Sequence, residues 1–279
     1  MLRLPQLDRD AEGRHREHAA PLHSRGRRGS RHLSETADDA SNRDTVAAPL
    51  ILAIETAGAA CSVALARGDE LLANERRAMR HGHAETLLPM IAAAVGQLSP
   101  AAIKIVAACV GPGGFTGIRV GLAAAQGIAL GADVETIGVT SFAAVAAALA
   151  HREERGPVLV AIDSRRSELY LQLIAASGEP IAPPVAILPN DIKGYVDGLI
   201  GDTPLRIAGD AAEIAAAALP GRDGLDRVAG SAPDALGVLA AARLTWRSDR
   251  KPQPLTPVYL RSPDVSFPKQ RPPVLRRAR

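Results

Sequence analysis

The segment that most limits what this chain can become is an apolar run, "IKIVAACV", that ends directly in "GPGGFTGIRVG" at residues 111–121. Glycine loses more backbone freedom on folding than any other residue, so five of them in eleven positions demand a reason. A strand, a glycine turn and a following helix make the repeating unit of an α/β fold. Two uses of the glycines are open. In the first, Gly117, Gly121, Ala125 and Ala129 recur every four residues and leave one helix face small enough to lie close to a sheet. Pro112, Gly113 and Gly114 then supply the turn, and Thr116 is the expected N-cap. In the second, the unpaired N–H groups at the helix start receive an anion, and Arg119 adds charge. The loop lacks the Gly-Lys-Ser/Thr that closes a P-loop. Gly111 and Gly113 fit the start of the dinucleotide pattern, but Thr116 stands where its third glycine belongs. Packing is therefore the favoured use.

The regular pattern begins at Leu50. "LILAIETA", "CSVALARG" and "ELLANERRA" read as three strands of an antiparallel meander, with Gly68 and Asp69 turning between the last two. "HAETLLPMIAAAVGQL" reads as a helix with Leu87, Leu88, Ile91, Val95 and Leu98 on its apolar face and Pro89 inside it. Its opposite face carries Pro89, Ala92, Ala93 and Gly96, small and nearly uncharged, which suits close approach by another helix, from a partner or, as the residues alone favour, from this same chain. Strand, helix, strand and helix follow to about residue 150. The polar turn "DSRRSE" after "VLVAI" then echoes "ETAGAA" after "LILAI", which points to an internal duplication with its boundary near 155–157. The expected division is a leader at 1–49, a first lobe at 50–155, a second at 156–261 and a basic tail at 262–279.

Apolar residues make up 47% of the chain and aromatics only 3%, so the core must rest on Ala, Val, Leu and Ile. Residues 1–49 mix Arg, His, Asp, Glu and Ser without period and are expected to be disordered. They lack the apolar stretch of a secretory signal, and their acidic residues argue against a transit peptide. Arg25, Arg27, Arg28 and Arg31 offer an electrostatic arm, although a leader without a folded role is favoured. Cys61 and Cys109 lie in strand-like runs and read as buried thiols in a reducing compartment. Every long apolar run is interrupted by Asp, Glu, Gln or Arg, so no membrane helix is expected.

Glu55 and Asp163 end corresponding strands of the two halves. Across a cleft, such a pair suits a hydrated Mg²⁺ beside a nucleotide; alternatively, each caps its turn, Asp163 beside Arg165 and Arg166. His81 and His83 flank Gly82 and are assigned to the helix start, since two histidines make no metal site. No Ser-His-Asp set is present, and neither cysteine has a neighbour in the sequence to activate it.

Taken in order, "LILAIETAGAACSVAL", "HAETLLPMI", "GPGGFTGIRVGLAAAQGIA", "VTSFAAVA", "AIDSRRSELY" and "PVYLR" resemble the TsaB family over residues 50 to about 261. The resemblance implies an actin-like ATPase or sugar-kinase fold, with two lobes each led by a three-stranded meander. It also implies a dimerisation subunit of the assembly that installs threonylcarbamoyl on the adenosine next to the tRNA anticodon. Such a subunit is cytoplasmic, pairs with a TsaD-type catalytic subunit, engages a TsaE-type ATPase through that pair and touches tRNA only indirectly. It uses no cofactor or metal of its own and no membrane. In the catalytic relative a His-x-x-x-His pair binds metal, whereas here His83 is followed four positions on by Leu87. The usual Asp-Thr-Ser turn reads Glu55-Thr56-Ala57, and Arg165 and Arg166 replace turn glycines. By this resemblance the nucleotide cleft at Glu55, Thr56, Gly111, Gly113, Gly114, Thr116 and Asp163 is degenerate. His83, Leu88, Ala92, Val95 and Gly96 become candidates for the partner interface. The competing expectations are an active nucleotide-dependent kinase or transferase of the same fold, and a metallopeptidase.

Overall fold

The computed structural model describes residues 48–149, 156–248 and 251–261. The expectations for residues 1–47 and 262–279 lie outside the described residues. The first half runs β1 (Leu50–Glu55), β2 (Ala60–Arg67), β3 (Glu70–Ala78), α1 (His83–Val95), β4 (Ile103–Gly111), α2 (Phe115–Ala132), β5 (Glu135–Thr140) and α3 (Ser141–Ala148). The second runs β6 (Val158–Asp163), β7 (Leu169–Ile174), β8 (Val185–Ile187), α4 (Ile192–Ile200), β9 (Leu205–Ala208), α5 (Ala212–Ala217), β10 (Leu225–Arg227) and α6 (Ala235–Arg247).

These strands build two five-stranded sheets, ordered β3-β2-β1-β4-β5 and β8-β7-β6-β9-β10. The second repeats the first strand for strand, so the two halves share one topology. β1 pairs antiparallel with β2, from Leu50 opposite Arg67 to Glu55 opposite Ser62, and parallel with β4, with Ile51 opposite Ile105. Every residue of β1 is buried, as expected for an unbroken apolar run flanked on both sides. β3 is the charged, exposed edge, and its polarity discourages further strand pairing. The short β10, "LDR", carries no apolar signal and is absent from the sequence reading; parallel pairing with β9 makes it a strand.

Packing crosses the chain-order division at 155 and 156. Phe142, Val145 and Leu149 from α3 and the residue after it join Val158, Val160 and Ile162 of the second sheet in one apolar cluster. Val238, Leu239 and Ala242 of α6 join the core of the first sheet. The assignment of the last helix to the second lobe is corrected accordingly. At the crossing of α3 and α6, a Cβ on Gly237 would fall within 3.0 Å of the Ala144 carbonyl oxygen, so the two backbones nearly touch. The segment after α6 returns along the first sheet: Gly138 N–H donates to Gln253 O at 2.7 Å and Val258 N–H to Val110 O at 2.8 Å.

Two details of the helices also differ from expectation. The N-cap of α2 is Gly114, without a side-chain bond, and Thr116 lies inside the helix and exposed. Gly82, at φ 85°, is the N-cap of α1, so neither neighbouring histidine caps it. The inner face of α1 consists of His83, Leu87, Met90 and Ile91. Leu88 points the other way and is 57% exposed, beside the exposed Pro89.

Candidate functional site

Two regions hold the residues singled out from the sequence. The first is the turn after β1. Glu55 is fully buried, its Oε1 accepting from the Ala57 N–H at 2.6 Å and the Gly58 N–H at 2.8 Å. Its Oε2 has no hydrogen-bond partner among the described residues. Burial pushes this carboxyl from its ordinary 4.5 up to about 8, and the nearby Asp234 and Asp210 push the same way. Burial therefore favours the protonated form of Glu55. The Thr56 hydroxyl donates to the Gly117 carbonyl at 2.7 Å, and Gly114 N–H donates to Ala57 O at 2.7 Å. Cβ atoms built on Gly113 and Gly117 would fall within 3.0 Å of the Ala57 and Thr56 carbonyl oxygens respectively. The glycines bring α2 onto the β1 turn, and the Thr56 hydroxyl and the Ala57, Gly58 and Gly114 N–H groups are already paired there.

Asp163, at the matching end of β6, is half-exposed and serves its own turn. Its Oδ1 accepts from the Arg165 N–H at 2.7 Å, and its Oδ2 lies 3.7 Å from Arg165 Nε. Burial raises Asp210 as well, and its Oδ1 accepts from the Asp163 N–H at 2.8 Å. Among the described residues no three His, Cys, Asp or Glu side chains converge as metal ligands would. His83 is buried with Nε2 unpartnered among the described residues, and burial holds its imidazole below the ordinary value. Both cysteines are buried free thiols, pushed up to about 11 at Cys61 and about 12 at Cys109. Thiols so far from ionisation are poor nucleophiles.

The second region is the outer surface of α1 and α2. Leu88, Ala92 and Gly96 are exposed there; Val95 is half-buried against its own core and His83 belongs to the inner face. Between the helices runs an apolar groove of about 470 Å³, lined by residues that include Leu87, Leu88, Val120, Ala123, Gly127 and Ile128. The sequence reading passed over the outer face of α2, where Ala123 and Gly127 are exposed and Leu130 is 87% exposed. The available signal was Arg119, the lone charged residue in eighteen. By length and apolarity α2 passes as a membrane-crossing helix. Its inner face is nevertheless built into the first sheet, and Gln126 donates to Leu255 O at 3.3 Å.

A family model described as "TsaD: tRNA N6-adenosine threonylcarbamoyltransferase" matches residues 72–195. The "tRNA threonylcarbamoyladenosine biosynthesis protein TsaB" of Escherichia coli is 39% identical over 122 residues, 43% of this chain and 52% of that protein. The protein of the same name from Haemophilus influenzae is 37% identical over 127 residues, 44% of this chain and 53% of the relative. These matches span about half the length of the two curated relatives. An uncharacterized protein of Mycobacterium bovis is 34% identical over 221 residues, 77% of this chain and 93% of the relative. Among solved structures, "YeaZ from Pseudomonas aeruginosa" superposes with a TM-score of 0.64 at 26% identity, over 76% of this chain and all of that one.

Proposed function

This chain belongs to the TsaB family, and from that premise we propose that it is the non-catalytic dimerisation subunit of a tRNA threonylcarbamoyladenosine-forming assembly. In this reading it supports a TsaD-type catalytic subunit in the cytoplasm, a TsaE-type ATPase joins through the pair, and tRNA is modified on the partner. One observation carries the proposal: the outer faces of α1 and α2 form an open apolar groove in which Ala84, Ala123, Ala124 and Gly127 leave room between larger apolar side chains. Covering it removes apolar surface from water at about 25 cal/mol per Å², before the costs of association. The non-catalytic half rests on the occupied turn after β1, where Glu55 is sealed against the Ala57 and Gly58 N–H groups and Thr56 is spent on Gly117. The competing kinase reading needs those same groups free.

The test is co-purification with a TsaD-type subunit. Ala92→Arg places a charge in the apolar contact and is expected to abolish the complex while leaving the thermal unfolding of the lone chain unchanged. A complex that survives Ala92→Arg sinks the docking proposal. Micromolar ATP binding lost in Glu55→Gln would restore the enzyme reading.

A further inference from the structure

Aromatic side chains are scarce here, at 3% of residues, yet two of them meet at the surface. Phe115 opens α2 and Tyr259 lies on the C-terminal segment; their ring centroids are 5.3 Å apart and their planes are tilted by 32°. Phe115 is 42% exposed and Tyr259 39%. The Arg119 guanidinium lies over the Phe115 ring, 3.8 Å from its centroid, and Nε donates to the Tyr259 hydroxyl at 3.1 Å. Holding the C-terminal segment does not account for this exposure, because backbone bonds at Gly138 and Val258 already fix it.

Cationic groups continue from the cluster. Arg261, two residues past Tyr259, bridges to Glu168 at 2.9 Å in the turn between β6 and β7, and the same turn exposes Arg165 and Arg166. Arg165 sits at φ 61°, a left-handed conformation that costs a non-glycine residue energy, and the bond from its N–H to Asp163 holds it there. Arg119, Arg165, Arg166 and Arg261 stand against Asp163, Glu168 and Asp210. An arginine plane laid on one exposed ring, with a second exposed ring beside it, suits an unstacked base with its neighbouring phosphates, whereas a duplex keeps its base faces covered.

We propose that Phe115, Arg119 and Tyr259 form a platform on which this chain stacks an unpaired base of single-stranded RNA. The arginines of the β6–β7 turn and Arg261 supply charge for the flanking phosphates. The inference rests on the RNA-modification reading and adds a direct contact that docking to a partner does not require.

The test is fluorescence anisotropy of the full chain with a labelled RNA hairpin and with a blunt duplex of equal phosphate count. The hairpin is expected to bind more tightly. Phe115→Leu and Tyr259→Leu keep apolar bulk but remove a π face, and each should weaken hairpin binding about tenfold. Tyr259→Phe should retain the affinity, and Arg119→Gln should reduce the salt slope by about one. Equal affinity for hairpin and duplex, or unchanged binding in both leucine variants, overturns the platform. So does displacement of the hairpin by ATP with ATP binding lost in the same variants, which would make the ligand a free nucleotide. Complex formation with the catalytic subunit, measured on the leucine variants, should be unchanged. If Ala92→Arg spares that complex while the leucine variants lose RNA, docking falls and the platform stands.

Discussion

The two faces of α2 are built from nearly the same residues and are used in opposite ways. Inward lie Gly117, Gly121, Ala125 and Ala129, all buried. Outward lie Ala123, Gly127 and Gly131, all exposed. A Cβ on Gly117 or Gly121 would collide with Thr56, whereas one on Gly127 or Gly131 would meet nothing within 4 Å. The inner glycines are thus explained by this chain's own packing. The outer ones are not, and Gly127, well inside the helix, costs about 1 kcal/mol relative to alanine. A small residue that its own fold does not require points to a neighbour from outside.

The largest effect should come from the inner face. Gly117→Val drives two methyl groups into the β1 turn and is expected to cost about 3 kcal/mol or more, read as a lower urea midpoint. A midpoint within experimental error of the parent would mean that the close approach of α2 to the β1 turn is not real. Next, Ala123→Arg on the outer face should leave that midpoint unchanged and weaken association with a TsaD-type subunit at least about 100-fold, since a charge is desolvated against an apolar partner. Unchanged association would confine docking to α1 or remove it from this surface.

The turn clamped by the inner face adds a pH dependence. The folded chain holds the Glu55 proton up to about 8, while the unfolded chain releases it near 4.5. This contribution to stability is therefore complete below the lower value, declines as pH rises between the two, and is flat above the higher one. Within that window the decline should be at most about 1.4 kcal/mol per pH unit. Urea titrations between these limits should show the decline in the parent and its absence in Glu55→Gln; identical slopes would place an ionised carboxylate in the turn. The smallest effect is expected for Gly127→Ala, which should stabilise the lone chain by about 0.5–1 kcal/mol while loosening the complex. Stabilisation with undiminished association would show that the outer glycines serve no partner.

Much of this architecture was legible beforehand. The apolar runs at β1 and β4, the turn at Gly68 and Asp69, and the echo of "ETAGAA" in "DSRRSE" were enough for two meander-led lobes, and the four-residue spacing after Gly117 was enough for a helix lying close to a sheet. The functional surfaces were less legible. Leu88 fits the apolar periodicity of α1 yet faces solvent, because Leu87 and Ile91 already fill the inner stripe. Thr116 is a good capping residue by type, but the helix starts at Phe115, one residue ahead of it. Phe115 and Tyr259 are 144 positions apart, and no local pattern joins them.

The sequence by itself determined the order of strands and helices apart from β10, the glycine requirement at the turn from β4 to α2, and the Leu87 that stands four positions after His83, because these follow from neighbours within a few residues. Only the tertiary structure decided that Glu55 is sealed, that α3 and α6 cross between the sheets, and that one face of α2 is covered while the other stays open. The bond from Thr56 to Gly117 spans 61 positions and that from Ala235 to Ser62 spans 173. Burial and proton affinity depend on which distant atoms arrive, and periodicity carries no record of them.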